Sequence, residues 1–571
     1  MMFLTLHTIN TRMKNKENMR DNRVVFLLIS FLMFSTPTIS FAINPTSAGT
    51  ITRQLEQAET YREQKENIEK SQQKSLGLDA EELLESTSKP LISTVNFELR
   101  NIKISDSDIL SDEEIDYITK EYLRKIITFN DLNRLLNEIN ELYKLKGYLA
   151  SKAYLPSQKI SDGTVQINLV EGRIDAIDVV GNSSTNKDYL LASLDVAIDD
   201  LVELKALEKR LERINLLSDI QLGIALKPSE IKGKTKYLIT AKEPERRESF
   251  FYTDNTGTKD VGLYRFGFNY FDRSLTGKRD NFTIGAYGAE GSKAFYSSYK
   301  FPVNNLGSQF KLSGNISKIE IIDGAVEVLD ITGDSYSLGA ELSHPLLVSR
   351  ANVVTAKVGV NKKKSSTDVA KKTLFETEVK TIDFGFNWQA FSASSISYAS
   401  IKGTLAPGEW GNQTSFFKVN ADYSYNTSLK GDWLAQFRFG GQWSDTKRLP
   451  SVEQFQVGGT YTVRGYVEGL LTGDKGYYSS VELSHAMPNK MKNIFGHRAR
   501  YFWFLDHGAA FPYKGNGEGT DSNDFLTSIG IGLDFSIYDV ASGHISAGQP
   551  LNRRDDNEGS GRINFSFQFP F

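Results

Sequence analysis

RINFSFQFPF, residues 562–571, decides the fold. Ile563, Phe565, Phe567, Phe569 and Phe571 fall on one side of an extended chain, and Asn564, Ser566, Gln568 and Pro570 on the other. Successive side chains of a strand point to opposite faces, so this is an apolar face backed by a polar one. The pattern recurs upstream. Tyr264, Phe266, Phe268 and Tyr270 alternate with Arg265, Gly267 and Asn269; Ile382, Phe384, Phe386 and Trp388 alternate with Asp383, Gly385 and Asn387. Ile529, Ile531, Leu533, Phe535 and Ile537 alternate with Ser528, Gly530, Gly532, Asp534 and Ser536. A transmembrane barrel needs this arrangement, with lipid on the aromatic face and a polar lumen inside.

The bulk numbers agree. Mean hydropathy is −0.35 over 571 residues, which looks soluble, but only alternate residues of a barrel meet lipid. No apolar run reaches the roughly 18–20 residues of a spanning helix. Cysteine is absent, which excludes a disulfide framework, a thiol nucleophile and a thiolate metal site. Net charge is −3, so no global basic field argues for nucleic acid. Residues 1–42 read as a secretory signal: a Lys/Arg-containing start, the apolar core VVFLLISFLMF (24–34), then Ser40-Phe41-Ala42 before the cut. The long polar start allows translation from Met13 or Met19.

Residues 43–70 hold a helix-forming stretch from Ile51 that is polar nearly all round. Such a helix has no face for an ordinary core and suits solvent or a wet lumen. Residues 71–93 read as a linker. Two β-α-α-β-β units follow, at 94–173 and 174–246. The first is expected to have a strand over Phe97–Ile104, helices over Ser111–Ile126 and Asn130–Lys146 capped by Ser111 and Asn130, and strands over Tyr148–Tyr154 and Thr164–Val170. The second has a strand over Ile174–Val180, helices over Asn186–Leu194 and Leu204–Leu217, and strands over Ile220–Leu226 and Lys236–Thr240. From residue 247 the helical period disappears. The remaining length suits about 16 membrane strands of ten residues plus connections. Polar turns are expected at 271–280, 304–309, 361–372 and 514–524. A soluble sandwich or propeller fits less well, because aromatics are dense on one face and no blade-length repeat occurs.

No phosphate-binding glycine loop, nucleophile elbow or H-E-x-x-H is present. His485, His497 and His507 read as isolated strand or turn residues, and the Glu243–Arg247 charges as a solvated junction. Two constellations stand out. One is Val463-Arg464-Gly465-Tyr466, in the long segment between strands near Trp433–Trp443 and Tyr477–Leu483. The other is Phe504-x-Asp506. Alternation puts Tyr501, Trp503 and Leu505 on one face, with Phe502, Phe504 and Asp506 opposite. A carboxylate facing lipid is costly, so the Asp506 face is the lumen. Arg464, beside a glycine that permits an unusual backbone, is its candidate partner; the bland alternative is an exposed loop charge and a hydrated carboxylate.

Tyr143–Pro156 (YKLKGYLASKAYLP), with its Tyr143, Gly147, Tyr148 and Pro156, then Gln158 and Asp162–Ile174 with Gly172, resembles the POTRA region of two-partner secretion transporters, the TpsB branch of the Omp85 superfamily. The V-R-G-Y tetrad is similar to the tip motif of their sixth extracellular loop, F-x-D to its partner on the thirteenth barrel strand, and Phe571 to the terminal signal read by the barrel-assembly machinery. The resemblance covers essentially the whole mature chain. It implies a 16-stranded transmembrane antiparallel β-barrel over 247–571, two periplasmic α+β POTRA domains (94–173 and 174–246) and an N-terminal plug helix (43–70). It further implies a monomeric outer-membrane protein, without cofactor, metal or enzymatic activity. Its partners would be a cognate TpsA exoprotein secretion domain, the barrel-assembly machinery, periplasmic chaperones and lipid. The exoprotein would be a haemolysin, an adhesin or a contact-dependent toxin. The POTRA domains would take it up unfolded, by strand addition at a sheet edge, and the barrel would export it, with folding outside as the pull. Three competitors are weaker: an insertase of the same superfamily, which would carry more repeats and no plug; a general porin, which would lack the 200 residues before the barrel; and a barrel-borne hydrolase, for which no Ser/His/Asp grouping appears.

Overall fold

A computed structural model describes residues 47–71, 77–79, 96–231, 233–324, 326–411, 415–445, 448–496, 498–511, 525–537, 540–552 and 561–571. The signal segment, the expected turn at 514–524, His497 and most of the 71–93 linker lie outside the described residues.

Helix α1 spans Ala48–Ser71. The strand β1 (Gly77–Asp79) follows. Its place corrects the reading of 71–93 as linker throughout: Gly77–Asp79 pairs in parallel with Gly223–Ala225 of a later strand. A short extended run beside an open sheet edge gains main-chain bonds that its composition does not announce.

The first small unit contains β2 (Asn96–Leu99), β3 (Asn101–Ile104), α2 (Asp112–Thr119), β4 (Lys125–Thr128), α3 (Phe129–Lys146), β5 (Lys152–Tyr154) and β6 (Thr164–Val170). Ser111 does cap α2, in a reciprocal box with Glu114. The helix expected to reach Ile126 stops at Thr119, however. Arg124 takes a left-handed backbone, its N–H donates to Leu99 O (2.7 Å), and the β-branched run Ile126-Ile127-Thr128 pairs with β2. The cap of α3 is Thr128 with Asp131, not Asn130. The strand expected from Tyr148 begins only at Lys152, because a turn closed by Ser151 N–H on Tyr148 O uses the intervening residues. Leu132, Leu135, Ile139 and Tyr143 of α3 pack on Leu99, Val165 and Ile167 of the sheet.

The second unit contains β7 (Arg173–Val180), α4 (Lys187–Leu194), α5 (Leu204–Leu217), β8 (Gln221–Pro228) and β9 (Lys234–Lys242). Its sheet runs β1-β8-β9-β7, and Leu190, Leu194, Leu207 and Leu211 bury against Ile174, Leu222 and Ile239.

The barrel comprises β10 (Arg247–Asp254), β11 (Arg265–Asp272), β12 (Asn281–Gly288), β13 (Ser292–Pro302), β14 (Gln309–Glu320), β15 (Ile331–Val348), β16 (Asn352–Val369), β17 (Lys372–Phe391), β18 (Ser395–Ala406), β19 (Phe416–Ser428) and β20 (Trp433–Ser444). Two short strands, β21 (Phe455–Val457) and β22 (Leu471–Gly473), pair with each other in a connection. The wall resumes with β23 (Lys475–Ala486), β24 (Arg500–Phe511), β25 (Phe525–Ile537), β26 (Ala541–Pro550) and β27 (Arg562–Pro570). Sixteen strands close in sequence order, β27 returning to β10. All neighbours are antiparallel, a meander in which each strand pairs with the next. Phe384, Phe386, Trp388, Trp503, Leu505, Ile529 and Ile531 face outward and are exposed, as alternation requires.

The expected turn at 361–372 is instead ladder. β16 continues to Val369, and only Ala370 and Lys371 turn, both with positive φ. These strands of 18 and 20 residues exceed the 9–11 that span hydrocarbon. Lys362 and Lys364 lie on the outside, paired to Glu378 (3.2 Å) and Glu376 (3.0 Å), while Lys363 points inward. The lysines interrupt apolar alternation without interrupting the sheet.

The second unit is tied to the barrel's end turns. Asp219 pairs with Arg279, Asn186 N–H donates to Gly277 O (2.9 Å), and Arg350 bridges Glu208 (2.5 Å).

Candidate functional site

Three things meet in the lumen: the connection between β20 and β23, helix α1 and the wall. That connection is the sixth of those joining strand pairs at its end of the barrel, and β24 is the thirteenth wall strand. The loop folds into the barrel. Val463 is buried with Phe455, Val457, Leu471 and Leu526. An apolar knot of this kind fixes the loop, and its tip then carries polar groups to the wall.

Arg464 is 3% exposed and Asp506 fully buried. Arg464 Nε and Nη2 donate to the two oxygens of Asp506 at 2.7 and 2.9 Å, a bidentate pair, and the Arg464 backbone N–H donates to the same carboxylate at 3.0 Å. Nη1 donates to Glu482 (2.8 Å) and Nη2 to Ser480 Oγ (3.1 Å); the Ser480 hydroxyl donates to Asp506 at 2.7 Å. The guanidinium carbon lies 3.7 Å from the Phe504 ring centre, a cation–π contact inside the wall. Gly465 has φ +92°, and a Cβ there would lie 3.0 Å from the Gly548 carbonyl. Glycine is required both for the left-handed backbone and for the approach to β26. Tyr466 Oη sits 2.7 Å from Asn552 Oδ1 and 2.9 Å from the carbonyl oxygens of Thr527 and Asn552.

Helix α1 lies against the same loop. Arg53 Nε donates to Gln454 O (3.1 Å) and Gln57 Nε2 to Gln456 O (3.2 Å), and the Tyr61 and Tyr461 rings are 5.5 Å apart. Lys363 of β16 reaches Glu56 of the helix (2.7 Å) and Glu453 at the root of the loop (3.1 Å); Lys418 of β19 reaches Glu453 at 2.6 Å. Lys311 pairs with Glu59 at 2.5 Å, and Thr52 with Ser335 at 2.9 Å. A helix polar nearly all round finds polar partners along most of its length, while Ala48 and Ile51 at its start bury against Val261, Tyr287 and Ile319.

The model of the haemolysin secretion/activation proteins ShlB/FhaC/HecB matches residues 233–535, and the ShlB-type POTRA domain matches residues 97–172. The chain belongs to this family. These secretion/activation proteins are the TpsB transporters of two-partner secretion. The chain is 27% identical over 496 residues to the heme/hemopexin transporter protein HuxB of Haemophilus influenzae strain 86-028NP, covering 81% of this chain and 85% of that one. It is 23% identical to the outer membrane transporter CdiB of Dickeya dadantii, covering 81% and 84%. The solved structure of CdiB from Escherichia coli matches with TM-score 0.67 and 19% identity, over 93% of this chain and all of that one. BamA of Haemophilus ducreyi lacking POTRA domains 1–3 matches at TM-score 0.50 and 14% identity, over 84% of this chain. These two structural likenesses are to the fold.

Of the motif residues of the POTRA region, Gly147 and Gly172 touch the second unit, their carbonyls accepting from Leu204 and Val202 N–H. Tyr143 is buried with its hydroxyl 3.2 Å from Glu171, and burial pushes its phenol well up from the ordinary range. Gly147 ends α3 with φ +95°; its carbonyl accepts from Leu204 N–H (3.0 Å), and a Cβ would lie 3.1 Å from Lys205 of the second unit. Tyr148 N–H donates to Tyr143 O at 2.9 Å. A Cβ on Gly172 would lie 2.5 Å from that of Ala150. Gln158, two residues after Pro156, pairs its side-chain amide with the backbone of Gln166 (2.7 and 2.8 Å). Phe571 stacks on Phe251, centroids 4.5 Å apart. His485 and His507 sit in aromatic surroundings of the wall beside Trp433 and Tyr477.

Sequence reading missed Glu482, Glu453, Lys363 and Lys418. Glu482 was accessible to the same alternation argument, since Val481 and Leu483 beside it are exposed. Glu453 and the lysines join only once loop and helix occupy the lumen.

Proposed function

We propose that this chain is an outer-membrane exporter. Its two POTRA domains stand in the periplasm and take up an unfolded TpsA-type exoprotein, which passes through the 16-stranded barrel to the surface. The observation that carries this reading is the filling of the lumen. Helix α1 and the tip of loop six meet the wall through side-chain hydrogen bonds and ion pairs, not through a strand ladder. Fillers held in this way can leave and return. A passive solute channel has no use for them. On this reading the Arg464–Asp506 pair holds loop six at rest, α1 is the plug, and delivery to the membrane uses periplasmic chaperones and the barrel-assembly machinery. The heme/hemopexin transporters among the relatives favour a cargo of that kind beside the haemolysins, adhesins and toxins that the resemblance implies.

On this reading, strand addition uses the first POTRA domain. The β8 edge of the second POTRA domain is covered by β1. Among the described residues β5 of the first has a neighbour on one side only, and its other edge offers main-chain pairing with little demand on sequence.

The test is export itself. This chain would be expressed with and without a candidate TpsA-type exoprotein from the same genome, in a host lacking both. Exoprotein in the medium or at the surface only when the chain is present is the expected result. Exoprotein held in the periplasm in both strains, with the barrel assembled, would refute the pairing.

A further inference from the structure

A groove of about 630 Å³ opens between α2 and α3 on the face of the first POTRA domain that points away from its sheet. Its floor is Ile118 and Leu142; its walls are Tyr117 and Leu145, which are 83% and 76% exposed. The core beneath is already complete, since α3 buries Leu132, Leu135, Ile139 and Tyr143 on the other side. A tyrosine and a leucine held open beside each other over an apolar floor are surplus to folding.

The charge around them is mostly of one sign. Helix α2 reads DEEIDYIT, four carboxylates with no cation. On the rim stand Glu113, Glu114, Glu138 and Glu141 against the single guanidinium of Arg134. Some of this is compensated: Lys146 pairs with Glu114 (2.7 Å), Lys144 with Glu141 (3.5 Å), and Arg134 with Asp131 (3.7 Å). With Asp131, Lys144 and Lys146 counted, five carboxylates still face three cations.

We propose that this groove docks a basic, apolar segment of the exported chain; the proposal rests on the exporter reading and adds to it a second contact distinct from the β5 edge. An acidic apolar groove between two helices accepts a segment whose apolar side chains lie between Lys or Arg, in the helix-in-groove manner. A second copy of this chain is a poor occupant, because a symmetric contact would set the same acidic rim against itself. A folded periplasmic protein buries its apolar segments, whereas an unfolded cargo presents them. Two weak contacts on one small domain, strand edge and groove, then add as a linked pair.

The full-length transporter in detergent, and as probe the purified N-terminal region of the TpsA-type exoprotein whose export the preceding test establishes, would be used to measure affinity at low and high salt. Two variants change only exposed side chains: Tyr117→Ser with Leu145→Ser, and Glu113→Lys with Glu141→Lys. Each is expected to weaken binding about ten-fold, or 1.4 kcal/mol, and the charge variant is expected also to flatten the salt dependence. A photo-crosslinking amino acid in place of Tyr117 is expected to capture the tagged exoprotein in cells. Unchanged affinity in both variants, while the parent chain binds and exports, overturns the groove and leaves the exporter standing. Capture of a second copy or of a chaperone in place of the exoprotein also overturns it. A parent chain that assembles but neither binds nor exports brings down the exporter reading, and the groove proposal with it.

Discussion

At the scale of single residues, one carboxylate organises the lumen. Asp506 accepts four hydrogen bonds on its two oxygens: from the backbone N–H, Nε and Nη2 of Arg464, and from the Ser480 hydroxyl. Removing one partner of such a buried pair strands the other and costs on the order of 3–5 kcal/mol. Asp506→Arg is therefore expected to free the loop tip and impair export. Adding Arg464→Asp is expected to restore export in part only, because Glu482 would then face a carboxylate. Export of the exoprotein, with barrel assembly checked by heat-modifiable gel mobility, measures both; no rescue in assembled barrels would count against direct pairing. Gly465→Val is expected to lift the tip as well, since a β-branched residue resists the left-handed backbone and its Cβ meets the Gly548 carbonyl. The chain has no cysteine, so a single Val463→Cys reports on this directly. It should resist a thiol reagent in the parent background and react once Gly465 is valine. The Arg464–Asp506 pair was legible because a carboxylate alternating with lipid-facing Trp503 and Leu505 must point inward. Gly548 was not, because nothing in its own strand announces a loop arriving from another part of the chain.

At the scale of elements, α1 is legible as a helix and puzzling as a helix without an apolar face, and the lumen resolves the puzzle. Four of its polar side chains meet partners in the lumen: Glu56 meets Lys363, Glu59 meets Lys311, and Arg53 and Gln57 meet backbone carbonyls of loop six. Deleting residues 51–70 is expected to raise single-channel conductance several-fold in planar bilayers, with steps that persist rather than flicker. Lys363→Glu, which sets a carboxylate against Glu56 and Glu453, is expected to give the same openings less often. Unchanged conductance after the deletion would remove α1 from the account as a plug. Elements were misread where a local signal was outvoted by a neighbour. The run Asn361–Lys372 looked like a turn because lysines replaced apolar residues, yet glutamates placed diagonally on the next strand pair with Lys362 and Lys364. The helix expected to reach Ile126 ends early because a strand partner lies beside Ile127, and Gly77–Asp79 becomes a strand only because β8 is there to receive it.

At the scale of the whole molecule, the strand count and the meander order follow from alternation and short connections, but closure does not, since no local pattern states that the first strand meets the last. The seam is correspondingly short: β10 and β27 pair over Phe250–Asp254 and Ser566–Pro570. Past the end of that ladder the Asn255 N–H still donates to Phe565 O (3.3 Å), and its side chain adds to it. Its Nδ2 donates to Ile563 O (2.7 Å), and its Oδ1 accepts from Phe565 N–H (2.8 Å), two bonds that carry the pairing on past the ladder. At the other end Phe571 stacks on Phe251, and its carbonyl accepts from Ser249 Oγ at 2.8 Å. Asn255→Ala removes two bonds of roughly 1 kcal/mol each and leaves the Ile563 carbonyl and Phe565 N–H to find other partners. The barrel is expected to form, because the remaining strand pairs are untouched, but to lose its compact gel mobility at a temperature several degrees lower than the parent. Asn255→Asp keeps the acceptor and loses the donor, so it should fall between the two. Equal transition temperatures for all three would mean that the ladder alone closes the seam and that Asn255 contributes nothing to it.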